Sequence, residues 1–228
     1  MQNKVKLTKR QIKEDKFTTF MLESKQKFLD NWQFYVIGVV GVVLVIAAIG
    51  YYVNSQADKE EESAYKFARA LLDYRNGNNQ IAILSLNQIV DDYGGTTVAK
   101  EATFMLGQVN FENKNYAEAI RFFEKYSREY SADKYYLAAA LAGVAASYEN
   151  QGNYAEAGQK YADACEAFPD GPMYGDYQLG AVRNFVLADN VENAQAHLDI
   201  ILDKFKGTAT AIKAERMFYE KGRPQPQT

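Results

Sequence analysis

NYAEAIRFFEKY (Asn115–Tyr126) and NYAEAGQKYADA (Asn153–Ala164) open with the same five residues, 38 positions apart. Looser copies flank them: NQIAILSLNQIV (Asn79–Val90) and NVENAQAHLDII (Asn190–Ile201). Ala82, Ala119, Ala157 and Ala194 mark one equivalent position at intervals of 37, 38 and 37, and Leu86, Phe123, Tyr161 and Leu198 lie four residues beyond each. Residues four apart share one face of a helix. Four copies at nearly constant period signify a repeat architecture, in which a unit buries its apolar face only against its neighbours.

Each copy reads as two helices. In the third, the Ala-rich Leu137–Gly152 stretch closes on Gly152, and a second helix runs from Tyr154 to about Phe168, where Pro169 stops it. Asp92-Tyr93-Gly94-Gly95, Tyr130-Ser131 and Lys206-Gly207 close the other copies. Thr96 or Thr97, and Thr208 or Thr210, are expected N-caps for the helices that follow. No stretch alternates as a half-buried strand would. The expected fold is all-α: a solenoid of about four helical hairpins over residues 63–221, with Thr208–Tyr219 as a capping helix and residues 222–228 as a disordered tail.

The units resemble the tetratricopeptide repeat family, whose 34-residue pattern places Leu-Gly, aromatic residues, Ala and Pro at set positions. Leu106, Gly107, Phe111, Ala119 and Phe123 fit it in the second copy, and Tyr148, Ala157, Tyr161, Ala164 and Pro169 in the third. Val144-Ala145 replaces Leu-Gly there, and the outer copies are degenerate. The longer period implies longer loops between units. The resemblance implies a concave groove lined by the first helix of each unit. By register its candidate residues are Phe67, Leu71, Tyr74, Phe104, Gln108, Phe111, Ala142, Ala146, Leu179 and Arg183. That lining suits a hydrophobic segment or partner helix, and the Lys/Asn clamp for a chain-terminal carboxylate is missing from these positions.

Ahead of the repeats, twenty residues from Phe34 to Val53 carry no charge. As a helix at 1.5 Å per residue they cover about 30 Å, the thickness of a bilayer's hydrocarbon core. Residues 33–53 are therefore expected to form one transmembrane helix, with Trp32, Tyr35, Tyr51 and Tyr52 at its interfaces. Gly38, Gly41 and Ala48 share a face where another helix would pack closely. Residues 1–31 sum to +4 and the remainder of the chain to −7. The positive-inside rule then keeps the arm, residues 1–32, in the cytoplasm and exports the body. In a Gram-negative bacterium this is a single pass through the inner membrane with a periplasmic C-terminal domain. Phe17, Phe20, Met21, Ser24 and Phe28 recur at helical spacing, as an amphipathic surface helix or as an extension of the span. Residues 54–62 are an acidic linker or a helix start. A cleaved signal peptide is the rival reading, disfavoured by the long arm and long apolar run.

Chemistry is sparse. A lone histidine, His197, and a lone cysteine, Cys165, suggest no metal site, and one cysteine allows no internal disulfide. Gly94-Gly95 and Gly171-Pro172 lack the context of a phosphate-binding loop. An acidic body argues against nucleic acid. Neither catalysis, a cofactor nor a small-molecule substrate is expected; the partners are a membrane and other proteins. The layout, including Phe28-Leu29-Asp30-Asn31 at the entry to the span, is similar to the YfgM-type ancillary subunits of the Sec translocon. That resemblance implies association with the translocon and a membrane-anchored periplasmic chaperone, and chaperone-like handling of exported chains. The alternative is a scaffold in envelope assembly or a secretion machine, holding one fixed partner.

Overall fold

The structure is a computed structural model that describes residues 9–221, and side chains from Phe17 to Glu220. The tail 222–228 and the first eight residues of the basic arm lie outside the described residues. Ten α-helices and no strand occur among the described residues. The chain divides into two compact units, Met1–Ala57 and Asp58–Thr228.

In the first unit, α1 (Lys9–Asp30) ends at Asn31, whose backbone amide and side-chain amide both bond back to Lys27 O. Helix α2 (Trp32–Arg75) starts at once. It contains an 18-residue window of mean hydropathy 2.6, long and apolar enough to cross a membrane, and none of that window is buried. Gly38 and Gly41 have no neighbour within reach of an added Cβ. Residues 54–62 are helical throughout, within α2.

The second unit is a row of helical hairpins. The end of α2 shares a core with α3 (Asn79–Asp92) and α4 (Thr97–Glu112); α4 pairs with α5 (Tyr116–Glu129), α6 (Lys134–Asn150) with α7 (Tyr154–Ala167), and α8 (Tyr174–Leu187) with α9 (Val191–Lys204). Helix α10 (Ala209–Lys221) packs on α8 and α9 and closes the row. The turn inside each hairpin puts one residue in the left-handed region: Gly77, Lys114, Gly152 and Asp189, at φ of 80°, 63°, 81° and 58°. The bonds repeat too. Lys114 N donates to Phe111 O and Asn115 N to Asn110 O; Gly152 N donates to Glu149 O and Asn153 N to Tyr148 O. This ending satisfies carbonyls that the helix leaves unpaired, and the asparagine after it starts the next helix.

Between hairpins the devices differ. Thr96 and Thr208 follow left-handed Gly95 and Gly207. Each threonine hydroxyl donates to the carbonyl three residues back and accepts from the amide three residues on. Asp133 serves α6 instead, accepting from the amides of Tyr135 and Tyr136.

The repeated small–large pair explains the stacking. Ala82, Ala119, Ala157 and Ala194 are fully buried where helices cross. The ring of Phe123 lies between two glycines of neighbouring hairpins, and a Cβ on either Gly107 or Gly143 would stand 2.6 Å from it. Leu86 and Leu198 are buried at the same position in the outer hairpins. Burial of such a side chain contributes about 1.5–3 kcal/mol, so each unit depends on its neighbour for its core.

Candidate functional site

The first helices of successive hairpins lie side by side and open a pocket of about 380 Å³. Phe67 of α2 borders it, together with Thr97, Lys100, Glu101, Phe104, Met105 and Gln108 of α4, Tyr126 of α5 and Tyr136 of α6. Phe104 is the hub. It meets Tyr126 and Tyr136 edge-on, each at 5.3 Å between ring centroids, and Phe123 at 5.6 Å. Such edge-to-face pairs contribute about 0.5–1.5 kcal/mol beyond burial and hold the walls in place. Tyr126 is 1 % exposed, yet its hydroxyl has no hydrogen-bond partner. Burial first, then the negative charges of Asp133 and Glu101 and the neighbouring tyrosines, push its pKa up to about 12. At neutral pH it is a protonated donor.

The structure brings Phe67, Phe104 and Gln108 together on that pocket. The other sequence candidates have different surroundings. Tyr74 packs on the core shared by α2, α3 and α4 and donates to Glu112 at 2.6 Å. Leu71, Ala142 and Ala146 are half-buried. Phe111 packs beside Tyr116 and on the aromatic core. Leu179 is buried among Val182, Leu198, Ile201 and Ala214, because α10 covers that face of α8; it is core, not an open lining residue. Tyr126 and Tyr136 were missed. Register assigned the groove to first helices only, and Tyr126 sits on the second helix α5, while Tyr136 lies in the first turn of α6. The aromatic density of Tyr126, Tyr130, Tyr135 and Tyr136 around one turn is the signal that marks it.

Arg183 lies elsewhere, in a polar knot linking α6, α7 and α8. Its Nε and Nη2 donate to the two oxygens of Glu149, both at 2.6 Å. Asn184 Nδ2 donates to Glu149 Oε2 at 3.1 Å, and the Tyr161 hydroxyl donates to the same oxygen at 3.4 Å. Burial raises the Glu149 pKa, but the bonds from Arg183, Asn184 and Tyr161 outweigh it, leaving it below the usual carboxylate value. Glu149 on α6 is thus bonded from α7 and α8, which links neighbouring hairpins.

The two residues with reactive side chains are packed. Cys165 is buried and its thiol is pushed up to about 12 by burial and by Glu166, so it is not a thiolate nucleophile at neutral pH. His197 stacks on Phe185 at 5.5 Å, and its Nδ1 meets Gln178 Oε1 at 2.6 Å. Burial lowers its pKa, against Glu166. No group of three or more metal-ligating side chains gathers among the described residues.

A family described as a tetratricopeptide repeat-like domain matches residues 25–168. No curated protein matches the chain. Among solved structures, nearly identical TPR-like repeats from Podosopora anserina, assigned to a kinesin light chain, align over 71 % of this chain and 86 % of that one, at 14 % identity and a TM-score of 0.53. The apo form of RapI aligns over 70 % of this chain and 62 % of its own, at 14 % identity and a TM-score of 0.56. At such identities the likeness is one of fold.

Proposed function

The chain belongs to the tetratricopeptide repeat-like family, and from that premise we propose that it is a membrane-anchored module that holds segments of other proteins. The observation that carries this reading is the aromatic pocket at Phe67, Phe104 and Gln108, open along the row of first helices. Preformed, mostly apolar clefts with a few polar groups are how proteins take up partner segments. Phe34–Val53 is the anchor, read from its length, its lack of charge and the surplus of Lys and Arg before it. The arm then faces the cytoplasm, and the repeats face the periplasm of a bacterial inner membrane. In this setting the role that fits is an ancillary subunit of the Sec translocon, of the YfgM type, giving chaperone-like help to exported chains. No catalytic step is assigned to it.

Two measurements test this. Protease added to spheroplasts is expected to digest the repeats and spare the arm; survival of the repeats until lysis overturns the topology. A photo-crosslinking amino acid at exposed Gln108 is expected to capture many newly exported chains in intact cells. Capture of one constant partner points instead to a fixed scaffold.

A further inference from the structure

We propose that the open face at the start of the repeat row, Tyr65, Ala68 and Leu72 near the end of α2, docks one helix of another protein, built like the second helices of this chain's own hairpins and antiparallel to α2. This surface is separate from the pocket beside Phe104, and it takes one fixed partner.

The chain itself shows what covers this position. One repeat period after another, Tyr65 corresponds to Ala102, Ala140, Tyr177 and Ala214, and Leu72 to Val109, Ser147 and Asn184. All but Tyr177 are fully buried, and Tyr177 is half-buried. In every case the preceding second helix packs there: α3 on α4, α5 on α6, α7 on α8 and α9 on α10. In α2, which begins the row, Tyr65 is 72 % and Leu72 58 % exposed. An apolar outer face at the end of a repeat row is costly unless it is covered.

The seat has a definite shape. Tyr65, Ala68 and Leu72 share one helical face, and Ala68 corresponds to Met105, Gly143, Gly180 and Met217. A Cβ on Gly143 would stand 2.6 Å from the Phe123 ring, and one on Gly180 2.8 Å from that of Tyr161. Met105 and Met217 share cores with the smaller Leu86 and Leu198. Ala68 is intermediate in size, so it suits a large aliphatic residue set four positions after a small one, the pair that α9 carries in Ala194 and Leu198. Glu61 and Arg69 border the stripe, acid before base. They complement an antiparallel helix with an acidic first turn and a basic last turn, as α9 has in Glu192 and Lys204. The same hairpin carries exposed Ile81 and Leu84 where α5 has Glu118 and Arg121 and α7 has Glu156 and Gln159. A second copy cannot supply the docking helix from its repeats, because Leu86, Phe123 and Leu198 are already buried there. The exposed Ile212 and Tyr219 of α10 have Glu215 and Arg216 between them. The occupant is therefore a helix of a different protein.

The test uses the full chain in lipid nanodiscs, with empty discs as control. The probe is a stapled, fluorescein-labelled peptide of the α9 sequence VENAQAHLDIILDK. Anisotropy is expected to show saturable binding. Leu72→Asp and Ala68→Arg are each expected to weaken it about tenfold or more, the worth of one well-buried apolar side chain. The peptide carrying Leu198→Ala is expected to lose as much, and Ile212→Asp at the far end of the row to change nothing. Both altered positions of α2 are exposed, so the melting temperature of the peptide-free protein should hold. No binding, or binding that neither Leu72→Asp nor Ala68→Arg weakens, overturns the site. A fall in melting temperature overturns it too, because the face would already be covered. A dimer that Leu72→Asp dissociates, read by mass photometry, overturns it in favour of a second copy. Crosslinking at Gln108 does not involve this face, so either site can fail while the other stands.

Discussion

The ends of the repeat row and its middle solve the same packing problem with different side chains. At the ends the buried cores are mainly aliphatic: Leu86, Ile89 and Leu106 in one, with Phe122 among them, and Leu179, Leu198 and Ile201 in the other, with Phe205 and Phe218 at its margin. In the middle, Phe104, Phe123, Tyr126, Tyr130 and Tyr148 pack on Ala119, Ala140 and Val144, with Phe123 set between Gly107 and Gly143. Aliphatic residues of similar size interdigitate and close the space. Flat rings on small residues fill it only in certain directions, leave ring edges free, and bring hydroxyls into the interior. The pocket at Phe104 and the unpartnered Tyr126 hydroxyl occur in this aromatic part; a further cleft lies between α8 and α10, and Asn113 Nδ2 and Asn184 Oδ1 also lack a partner. The middle of the row thus combines tight packing at Phe123 with an open cleft beside Phe104.

The largest effect expected from this contrast is at Phe123. Phe123→Ala should cost about 3–5 kcal/mol, read from thermal unfolding of the full chain in detergent. Gly143→Ala alone should cost about 1–3 kcal/mol by overpacking against the ring. In the Phe123→Ala background the same methyl should instead recover stability, because it enters the space the ring left. Additive losses would show that the ring and the glycine are not coupled.

Next is the knot that joins the aromatic middle to the last hairpin. Glu149→Gln should cost about 1–3 kcal/mol, since it takes the charge from two short bonds with Arg183. The pH dependence has a definite sign. Glu149 titrates lower in the folded protein than its ordinary 4.5. Its contribution is therefore full above about pH 4.5 and fades as pH falls through the folded value. Acid unfolding curves of wild type and Glu149→Gln should converge in that range; a constant gap down to the lowest pH would remove Glu149 as the cause.

The smallest effect concerns the hairpin turns. Lys114 holds a left-handed conformation that Gly152 holds at the equivalent place in the next unit. Lys114→Gly should stabilise the protein by about 0.5–1 kcal/mol and Gly152→Ala should destabilise it by at least as much. Equal melting temperatures for Lys114→Gly and wild type would mean that the turns differ more than their shared bonds indicate.

Much of the fold was legible because the repeat is written into the chain. The 37–38 residue period, the buried alanines and the terminators at Gly152 and Pro169 locate the hairpins, since a helix that must bury one stripe against a copy of itself repeats its small and large residues in register. The caps were legible as paired candidates, Thr96 or Thr97 and Thr208 or Thr210, of which Thr96 and Thr208 accept the amide bond. The site was less so. Phe67, Phe104 and Gln108 followed from helical register, but Leu179 carries the same register mark and is buried under α10, and Tyr126 carries the opposite mark and lines the pocket.

Periodicity, local turn chemistry and the uncharged run from Phe34 to Val53 are properties of neighbouring residues, so the amino-acid sequence alone determined the repeat helices from Asn79 onward and the apolar segment, but not the single helix that runs unbroken from Trp32 to Arg75. Which ring edges stay open, which hydroxyl goes unsatisfied and which charge meets Glu149 depend on residues of different helices, 34 positions apart for Glu149 and Arg183, coming to within a few ångströms. Only the tertiary packing decided those, because the contacts that satisfy or expose a side chain come from other helices, at distances that helical register does not encode.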